Sequence, residues 1–358
     1  MPSQPAIYVI AEAGVNHNGD RQRAFGLVDA AADAGADAVK FQTFNAKRLA
    51  VLTAPKAAYQ QQTTEANQSQ LEMLETLELP LEWHGPLQAH AHQRGIEFLS
   101  TAFDTQSLAF LETLNLPFYK VPSGELTNGP LLWAFARTGK PLVISTGMAT
   151  LSEVEQGLAV VGHALTHDQP PVSLNEVWQC WSDSQTRTAL VGQVSLLHCT
   201  SQYPTPMHEV NLKALDTLAE VFRLPVGYSD HTQGTLIPAA AVARGAAILE
   251  KHFTLDRQLP GPDHKASLEP NELKRMVEEV RAIAQALGDG LKVPQPSEWD
   301  TRGAARQNLV AAATIRQGEC FTTDNLTTAR AGQGELAMTY WDRLGQPATR
   351  AYQPGDAV

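Results

Sequence analysis

Two histidines in the second half of the chain are candidates for binding a metal ion. His231 lies in YSDHT and His252 in EKHFT, and each ends a short apolar run that is typical of a strand. If these runs form neighbouring strands, both imidazoles come within reach of one divalent cation, which could polarise a carbonyl as a Lewis acid. With Glu12 or water completing the site, the donors suit Mn²⁺ or another first-row ion. The alternative, in which both rings only hydrogen-bond to loop carbonyls, is equally compatible with the spacing.

Lysines at the ends of apolar runs indicate an anionic ligand. The formal net charge is −11, so lysines gathered at one site would oppose the overall sign of the protein. Lys40 in AVKFQTF and Lys120 in FYKVPSGE are costly to bury unless each meets an anion. Lys251 and Lys265 are further candidates for this role. The alternative for any of them is a salt bridge to a nearby carboxylate such as Glu125.

Hydroxyl groups recur in turns that are rich in small residues. Ser123, Ser145, Ser201 and Ser229 lie in PSGE, STGM, CTSQYP and GYSDH, where backbone N–H groups are also exposed. Hydroxyls, turn amides and lysines together can cradle a phosphate or a carboxylate. Glu12, in AEAGVNHNG, could orient a substrate hydroxyl or assist the metal, although pairing with Lys40 is nearly as well supported.

The elements that must position these residues form a repeating pattern. Short apolar runs alternate with amphipathic stretches such as RAFGLVDAAADAGA, and the runs cover 7–14, 38–44, 96–103, 118–125, 141–147, 194–201, 225–230 and 247–254. Eight such units predict a (β/α)₈ barrel, with a doubly wound open sheet as the alternative. Nearly every run is apolar first and polar at its C-terminal end. Barrel enzymes place their chemistry at this end, so the pattern predicts one shared site.

Composition and motifs exclude several classes of protein. The chain has 358 residues, of which 43% are hydrophobic and 18% charged, as in ordinary globular proteins. The negative net charge argues against non-specific nucleic-acid binding. Three separated cysteines, no basic leader and no long apolar stretch predict a cytoplasmic protein without a membrane span. The phosphate-binding motif GxxxxGK[ST], GxGxxG after a strand and GxSxG are all absent.

The chain is predicted to contain a barrel domain (1–287), a linker (288–305) and a small C-terminal domain (306–358) of short strands and turns. Within the barrel, 45–80 is interpreted as an excursion after the second strand. Residues 166–190 are interpreted as a surface insertion in which Trp178 and Trp181 pack down.

These motifs together resemble the N-acetylneuraminate (sialic acid) synthase family over almost the whole chain. They are IAEAGVNHNGD, VKFQTF, STAFD, YKVPSGELTN, KPLVISTGM, LLHCTSQYPTP, GYSDHT and ILEKHFTLD followed by PGPDHKASLEP. The tail resembles the family's C-terminal SAF domain, which is similar to type III antifreeze proteins.

The resemblance implies condensation of phosphoenolpyruvate with an N-acylated hexosamine aldehyde, chiefly N-acetylmannosamine, to give N-acetylneuraminate and phosphate. The alternative is a related synthase that makes legionaminic or pseudaminic acid from a diacetamido hexose. A remote alternative is an inactive carbohydrate-binding protein. The family also implies Mn²⁺ or Mg²⁺ as the cofactor, and a homodimer in which each SAF domain caps the partner's barrel.

The resemblance also assigns roles to residues of this chain. Catalytic roles go to Glu12, Lys40, Lys120, Glu125, His231 and His252, of which the two histidines hold the metal. Phosphoenolpyruvate contacts go to Lys40, Lys120, Ser123, Ser145, Ser201 and Ser229. Sugar contacts go to Gln42, Asn67, Tyr203, Asp263 and Arg330. The chain departs from the family at Ala331, where a proline usually follows the arginine, and at Ser201, where some members carry asparagine.

Overall fold

The chain folds into two compact units, one ending at Gly288 and the other beginning at Asp289. The computed structural model describes residues 7–57, 60–61 and 69–358. All of the predicted linker 288–305 except Gly288 lies in the second unit, where Trp299–Ala305 is a short helix.

The first unit is built on one sheet of eight parallel strands. They are β1 Tyr8–Gly14, β2 Ala38–Thr43, β3 Glu97–Ala102, β4 Tyr119–Val121, β5 Leu142–Ser145, β6 Val194–Cys199, β7 Val226–Asp230 and β8 Ile248–His252. Their order is β3-β2-β1-β8-β7-β6-β5-β4, and the two edge strands, β3 and β4, contact each other. Because the first strand pairs with the last and the edges meet, the sheet is a nearly closed barrel. This confirms the predicted (β/α)₈ barrel and excludes the open doubly wound sheet.

Helices follow the barrel strands, and two of them lie in the long segment directly after β2. They are α1 Arg21–Asp33, α2 Ala46–Leu49, α3 Gln70–Leu77, α4 Leu81–Gln93, α5 Thr105–Glu112, α6 Gly129–Arg137, α7 Leu151–Thr166, α8 Leu174–Ser182, α9 Ser184–Thr188, α10 Ala214–Phe222, α11 Leu236–Ala243 and α12 Pro270–Ala286. Several begin where a polar side chain accepts a hydrogen bond from the first turn, as Asp20 does for α1 and Thr150 for α7. These caps fix where the loops after β1 and β5 end.

Side chains that alternate between the two faces of each strand contribute to different parts of the barrel. Val9 and Ala11 of β1 belong to the large apolar core, together with residues of the surrounding helices. Ile10 of β1, Ala38 of β2 and Leu99 of β3 form a separate, fully buried cluster. Glu12 and Lys40, two positions beyond Ile10 and Ala38, are aligned on β1 and β2. Because side chains two residues apart share a face, the same face of each strand changes from apolar to charged along its length.

Strand β4 is shorter than the predicted run 118–125. It ends at Val121, and Ser123–Glu125 form a single 3₁₀ turn. Pro122, which stands between them, has no backbone N–H and cannot extend a strand by donating to a neighbour.

The insertion at 166–190 is helical, since it contains α8 and α9. Val177 is buried, and Trp178 and Trp181 pack against the barrel core from a partly buried position. The indole Nε1 of Trp181 also donates to Glu155 Oε1 at 2.9 Å. The insertion is therefore tied to the barrel by the two tryptophans.

The second unit has its own small core. It contains α13 Trp299–Ala305 and α14 Tyr340–Arg343, and β9 Asn308–Ala311 pairs antiparallel with β10 Leu326–Ala329. The core residues are Leu309, Ala311, Ile315, Phe321, Leu326, Ala348 and Tyr352. Across both units, none of the helices in the described ranges has the length and apolar character needed to traverse a lipid bilayer.

Gly227 in β7 allows close approach of its neighbours, so we expect Gly227→Ala to destabilise the barrel. An added Cβ would lie within 2.5 Å of Leu197 Cδ2 and within 2.9 Å of Ile248 Cβ, and closer still to the Ile248 carbonyl oxygen. Overpacking of this kind costs roughly 1–3 kcal/mol, and more where backbone must move. Urea unfolding should show this loss in the free energy of unfolding.

Gly303→Ala is the control, because nothing beyond its chain neighbours and its own helix backbone lies within 4 Å of a Cβ placed there, at an exposed position of α13. That change should be neutral or should stabilise by up to about 1 kcal/mol. Equal effects of the two substitutions would contradict the packing argument.

Candidate active site

The C-terminal ends of the barrel strands surround a cavity of about 440 Å³. Thirteen of the fifteen predicted site residues line it: Glu12, Lys40, Gln42, Lys120, Ser123, Glu125, Ser145, Ser201, Tyr203, Ser229, His231, His252 and Asp263. Asn67 lies outside the described residues. Arg330 is an exposed residue of the second unit.

A buried row of alternating charges crosses the floor of the cavity. Lys40 Nζ lies 2.8 Å from Glu12 Oε2 and 3.6 Å from Glu250 Oε2. Lys120 Nζ lies 3.3 Å from Glu250 Oε1, so Glu250 bridges the two lysines. All four side chains are at most 5% exposed. The alternative pairing of Glu12 with Lys40 is thus observed, and both residues line the cavity as well.

The surroundings shift the pKa values of the four side chains in different directions. Burial raises the pKa of Glu12 to about 7, despite the opposing effect of Lys40. Burial acts against the charge of Lys40, but its ion pairs with Glu12 and Glu250 prevail and raise its pKa. Burial also lowers the pKa of Lys120, with only partial compensation from Glu250. For Glu250, burial is outweighed by Lys120, Lys40 and the Ser229 hydroxyl, which hold its pKa well below the usual range. Glu12 is therefore the member of the row that can exchange a proton near neutral pH.

Hydroxyl groups line the side of the cavity formed by the C-terminal ends of β4 to β7 and the loops that follow them. Ser229 Oγ donates to Glu250 Oε1 at 2.7 Å, and Ser123 Oγ accepts from the backbone N–H of Gly147 at 3.0 Å. Ser145 Oγ is buried and has no hydrogen-bond partner within the described part of the chain. A Cβ at Gly147 would come within 2.7 Å of the Ser123, Cys199 and Ser201 side chains. The glycine is therefore required for this close set of polar groups.

The two predicted metal ligands lie together, as neighbouring strands β7 and β8 require. The ring centroids of His231 and His252 are 5.4 Å apart. Burial lowers the pKa of both, and for His252 the adjacent His231 lowers it further, so both rings are neutral. His231 Nδ1 lies 2.7 Å from the Thr200 carbonyl, to which an N–H there would donate, leaving Nε2 as the lone-pair donor.

These donors fit a divalent cation. Buried in the wall of the cavity, His252 Nδ1 lies 3.8 Å from Asp263 Oδ2 and makes no hydrogen bond to any described residue. Neutral imidazoles with unused ring nitrogens beside a carboxylate are suitable ligands for a first-row metal. Over residues 7–57, 60–61 and 69–358, however, no three His, Cys, Asp or Glu side chains are arranged as a ready metal site. The histidine pair would therefore need substrate or water as additional ligands.

Three of the predicted sugar contacts, Gln42, Tyr203 and Asp263, line the same cavity. The Tyr203 ring lies 4.1 Å from that of His231 and edge-on to His252. Gln42 Nε2 donates to Glu12 Oε1 at 3.3 Å. Burial raises the pKa of Asp263 to about 6 and also raises that of Glu125, whose Oε2 accepts from Asn128 Nδ2 at 2.6 Å.

Two of the four candidate lysines do not line the cavity. Lys251 is fully buried but points away from it and pairs with Asp230 at 2.5 Å, because alternation places it on the opposite face from Glu250 and His252. Lys265 is exposed in the loop after β8 and also lies outside the cavity lining. Of the four candidate lysines, Lys40 and Lys120 therefore remain as candidates for binding an anion in this cavity.

Sequence reasoning missed Glu250 as a site residue. It lies two positions before His252 on β8 and so shares the face of that ligand. The strand alternation alone would have placed it beside Lys40 and Lys120.

Comparison with known proteins finds relatives over nearly the whole length of the chain. Residues 27–292 match the model of the NeuB family. The chain is 46% identical to N,N'-diacetyllegionaminic acid synthase of Campylobacter jejuni, with 98% of each chain covered. It is 34% identical to human N-acetylneuraminate-9-phosphate synthase, with coverage of 90% of this chain and 83% of the human one.

Among solved structures, N-acetylneuraminic acid synthetase of Leptospira borgpetersenii aligns with a TM-score of 0.65 at 32% identity. The alignment covers 82% of this chain and 90% of that one. The chain therefore belongs to the NeuB family, and it is an enzyme of the phosphoenolpyruvate-utilising, sugar-acid synthase type.

Proposed function

We propose that the enzyme condenses phosphoenolpyruvate with a hexose aldehyde carrying two acetamido groups, giving a nine-carbon acid of the diacetyllegionaminic type and phosphate. The observation that carries the chemistry is the convergence of two lysines, four serines and two neutral histidines on one cavity. The identity to a diacetyllegionaminic acid synthase, 46%, exceeds that to the human N-acetylneuraminate-9-phosphate synthase, 34%. The expected acceptor, N-acetylmannosamine, is accordingly replaced by a diacetamido sugar.

Phosphoenolpyruvate would bind over the charged floor. Among the described residues, Glu250 is the one carboxylate within 4 Å of the Lys120 ammonium, and it is shared with Lys40. An incoming phosphate or carboxylate would give Lys120 a second anionic partner. Ser145, whose buried hydroxyl has no partner in the described ranges, would donate to the same anion. Ser123, Ser201 and Ser229 line the cavity nearby.

The reaction forms one carbon–carbon bond and cleaves one carbon–oxygen bond. C3 of phosphoenolpyruvate attacks the aldehyde carbon of the open-chain sugar, water adds at the cationic C2, and phosphate leaves with the bridging oxygen. Glu12, with its pKa raised to about 7, is suited to hold or release a proton at its carboxyl oxygens during these steps. Glu250 remains ionised and would stabilise the positive charge at C2.

The sugar would lie beside the histidines. Tyr203, Gln42 and the buried Asp263 would position its polar groups, and Glu125 would act at the reacting centre. His231 and His252 would hold a divalent cation, Mn²⁺ or Mg²⁺, which when bound supplies Lewis-acid polarisation of the aldehyde oxygen.

The resemblance, rather than the geometry, supports the remaining proposals. The second unit is a SAF domain, the enzyme is a homodimer in the cytoplasm, and Arg330 of one subunit reaches the acyl group of the sugar bound in the partner's barrel.

The proposed reaction predicts phosphate release from phosphoenolpyruvate only when an acceptor sugar is present. Purified enzyme with Mn²⁺ should release phosphate with a 2,4-diacetamido hexose and should have a lower kcat/KM with N-acetylmannosamine. Product mass, with one added pyruvyl unit, distinguishes condensation from simple hydrolysis. A higher kcat/KM with N-acetylmannosamine would reject the diacetamido acceptor, and inertness toward both sugars would reject the synthase.

His252→Ala should lower kcat by at least roughly 100-fold while the protein stays folded, because a group acting on developing charge is lost. His208→Ala is the matched control, since this histidine is exposed and lies outside the cavity lining. Removal of metal with a chelator should inactivate the wild type reversibly, and the variant should bind Mn²⁺ more weakly by electron spin resonance. Full activity in His252→Ala would contradict the metal role.

Arg330→Ala should raise the KM for the sugar by roughly 10- to 100-fold, the loss expected for a charged hydrogen bond, without changing the KM for phosphoenolpyruvate. Arg316→Ala, an exposed arginine in the same unit, provides the control. An unchanged sugar KM in Arg330→Ala would show that this residue does not reach the acceptor.

A further inference from the structure

One side of the active-site cavity is apolar, and none of the proposed catalytic roles uses it. We define the apolar wall as six cavity-lining residues: Val15, Phe44, Met73, Leu74, Leu77 and Phe103. They belong to one hydrophobic cluster that is separate from the main barrel core. Val15, Phe44, Met73 and Leu77 are at most 6% exposed.

The wall is a preformed surface. Helix α3, which supplies Met73, Leu74 and Leu77, begins with a capping box between Ser69 and Glu72. The rings of Phe44 and Phe103, from the loops after β2 and β3, meet edge to face with centroids 5.9 Å apart. A ligand would therefore meet a packed apolar surface without having to order it.

The position of the wall assigns it to the acceptor. It is built from the loops after β1, β2 and β3 and from α3, whereas Ser123, Ser145, Ser201 and Ser229 come from β4 to β7 and their loops. An anionic ligand belongs with the lysines and hydroxyls, because apolar side chains offer it no compensation for lost water. If the proposed condensation is correct, the sugar is the ligand that touches the wall.

A hydroxyl group is a poor match for this surface, and an acetamido group is a good one. The acetamido methyl can be buried against the wall, while its amide can pair with glutamine side chains such as Gln42 and Gln70, which line the same cavity. A sugar hydroxyl could hydrogen-bond to the glutamine amides, but it would leave the apolar wall in contact with water.

We propose that the apolar wall determines acceptor choice, by burying the methyl of a second N-acyl group that N-acetylmannosamine lacks. This inference rests on the proposed function and names the residues that set its substrate preference. Loss of one methyl contact in an apolar pocket changes kcat/KM by roughly 10- to 200-fold, which gives the expected size of the effect.

The test compares three acceptors that differ at one position: the diacetamido hexose, its analogue with the second acetyl replaced by formyl, and N-acetylmannosamine. In the wild type, kcat/KM should fall by roughly 10- to 200-fold from acetyl to formyl. In Met73→Gln and Leu74→Gln this ratio should shrink at least 10-fold, with the KM for phosphoenolpyruvate unchanged.

Leu71→Gln is the matched control, because Leu71 is buried on the same helix but lies outside the cavity lining. It should keep the wild-type ratio, which separates contact with the sugar from loss of helix stability. Thermal unfolding checks that each variant is folded. Leu74 is only half-buried, so Leu74→Gln decides the question if the other substitutions prevent folding.

The outcomes separate the two proposals. If phosphate is released with the diacetamido sugar but the acetyl-to-formyl ratio is unaffected in Leu74→Gln, the wall is not the determinant and the synthase reaction stands. If no acceptor supports phosphate release in the wild type, the proposed function fails and this inference fails with it.

Discussion

The ionic row of Glu12, Lys40, Glu250 and Lys120 is the interaction on which the rest of the site depends. Isolated charges are costly to bury, and each of these groups is tolerated because a neighbour of opposite sign lies within 4 Å. The row spans β1, β2, β4 and β8, so it requires the register of adjacent strands and the approach of β4 across the barrel. Only a closed barrel brings these strands around one point. The fold and the electrostatics of the site therefore stabilise each other.

Much of this arrangement could be predicted from the sequence, because barrel strands carry two strong signals. The count of short apolar runs predicts the strand number, and polar residues at their C-terminal ends predict the mouth, including His231 and His252. Polar residues at a strand end do not by themselves show which face they occupy, because side chains alternate within a strand. Lys251 faces Asp230 on the other side of β8, whereas Glu250 faces the cavity.

Other features could not be predicted because they depend on contacts between distant segments. The apolar wall combines residues from α3 with loops after β1, β2 and β3, and Met73 on its own is simply a buried helix residue. The raised pKa of Glu12 follows from burial, which outweighs the ion pair with Lys40, and neither the burial nor the ion pair is visible in AEAGVNHNG. The proposed acceptor preference would depend on such contacts, which the motifs shared by the family do not record. Those motifs therefore imply only the family's chief acceptor, N-acetylmannosamine.

The cluster of Ile10, Ala38 and Leu99 beneath the ionic row has a consequence for the order of events. These side chains are at most 1% exposed and separate the cavity from the N-terminal end of the strands. Both reactants must then enter, and both products must depart, through the same opening. A molecule seated deepest, over the lysines, is the first to arrive and the last to leave. The order in which reactants bind and products leave would thus follow from the closure of the barrel at one end.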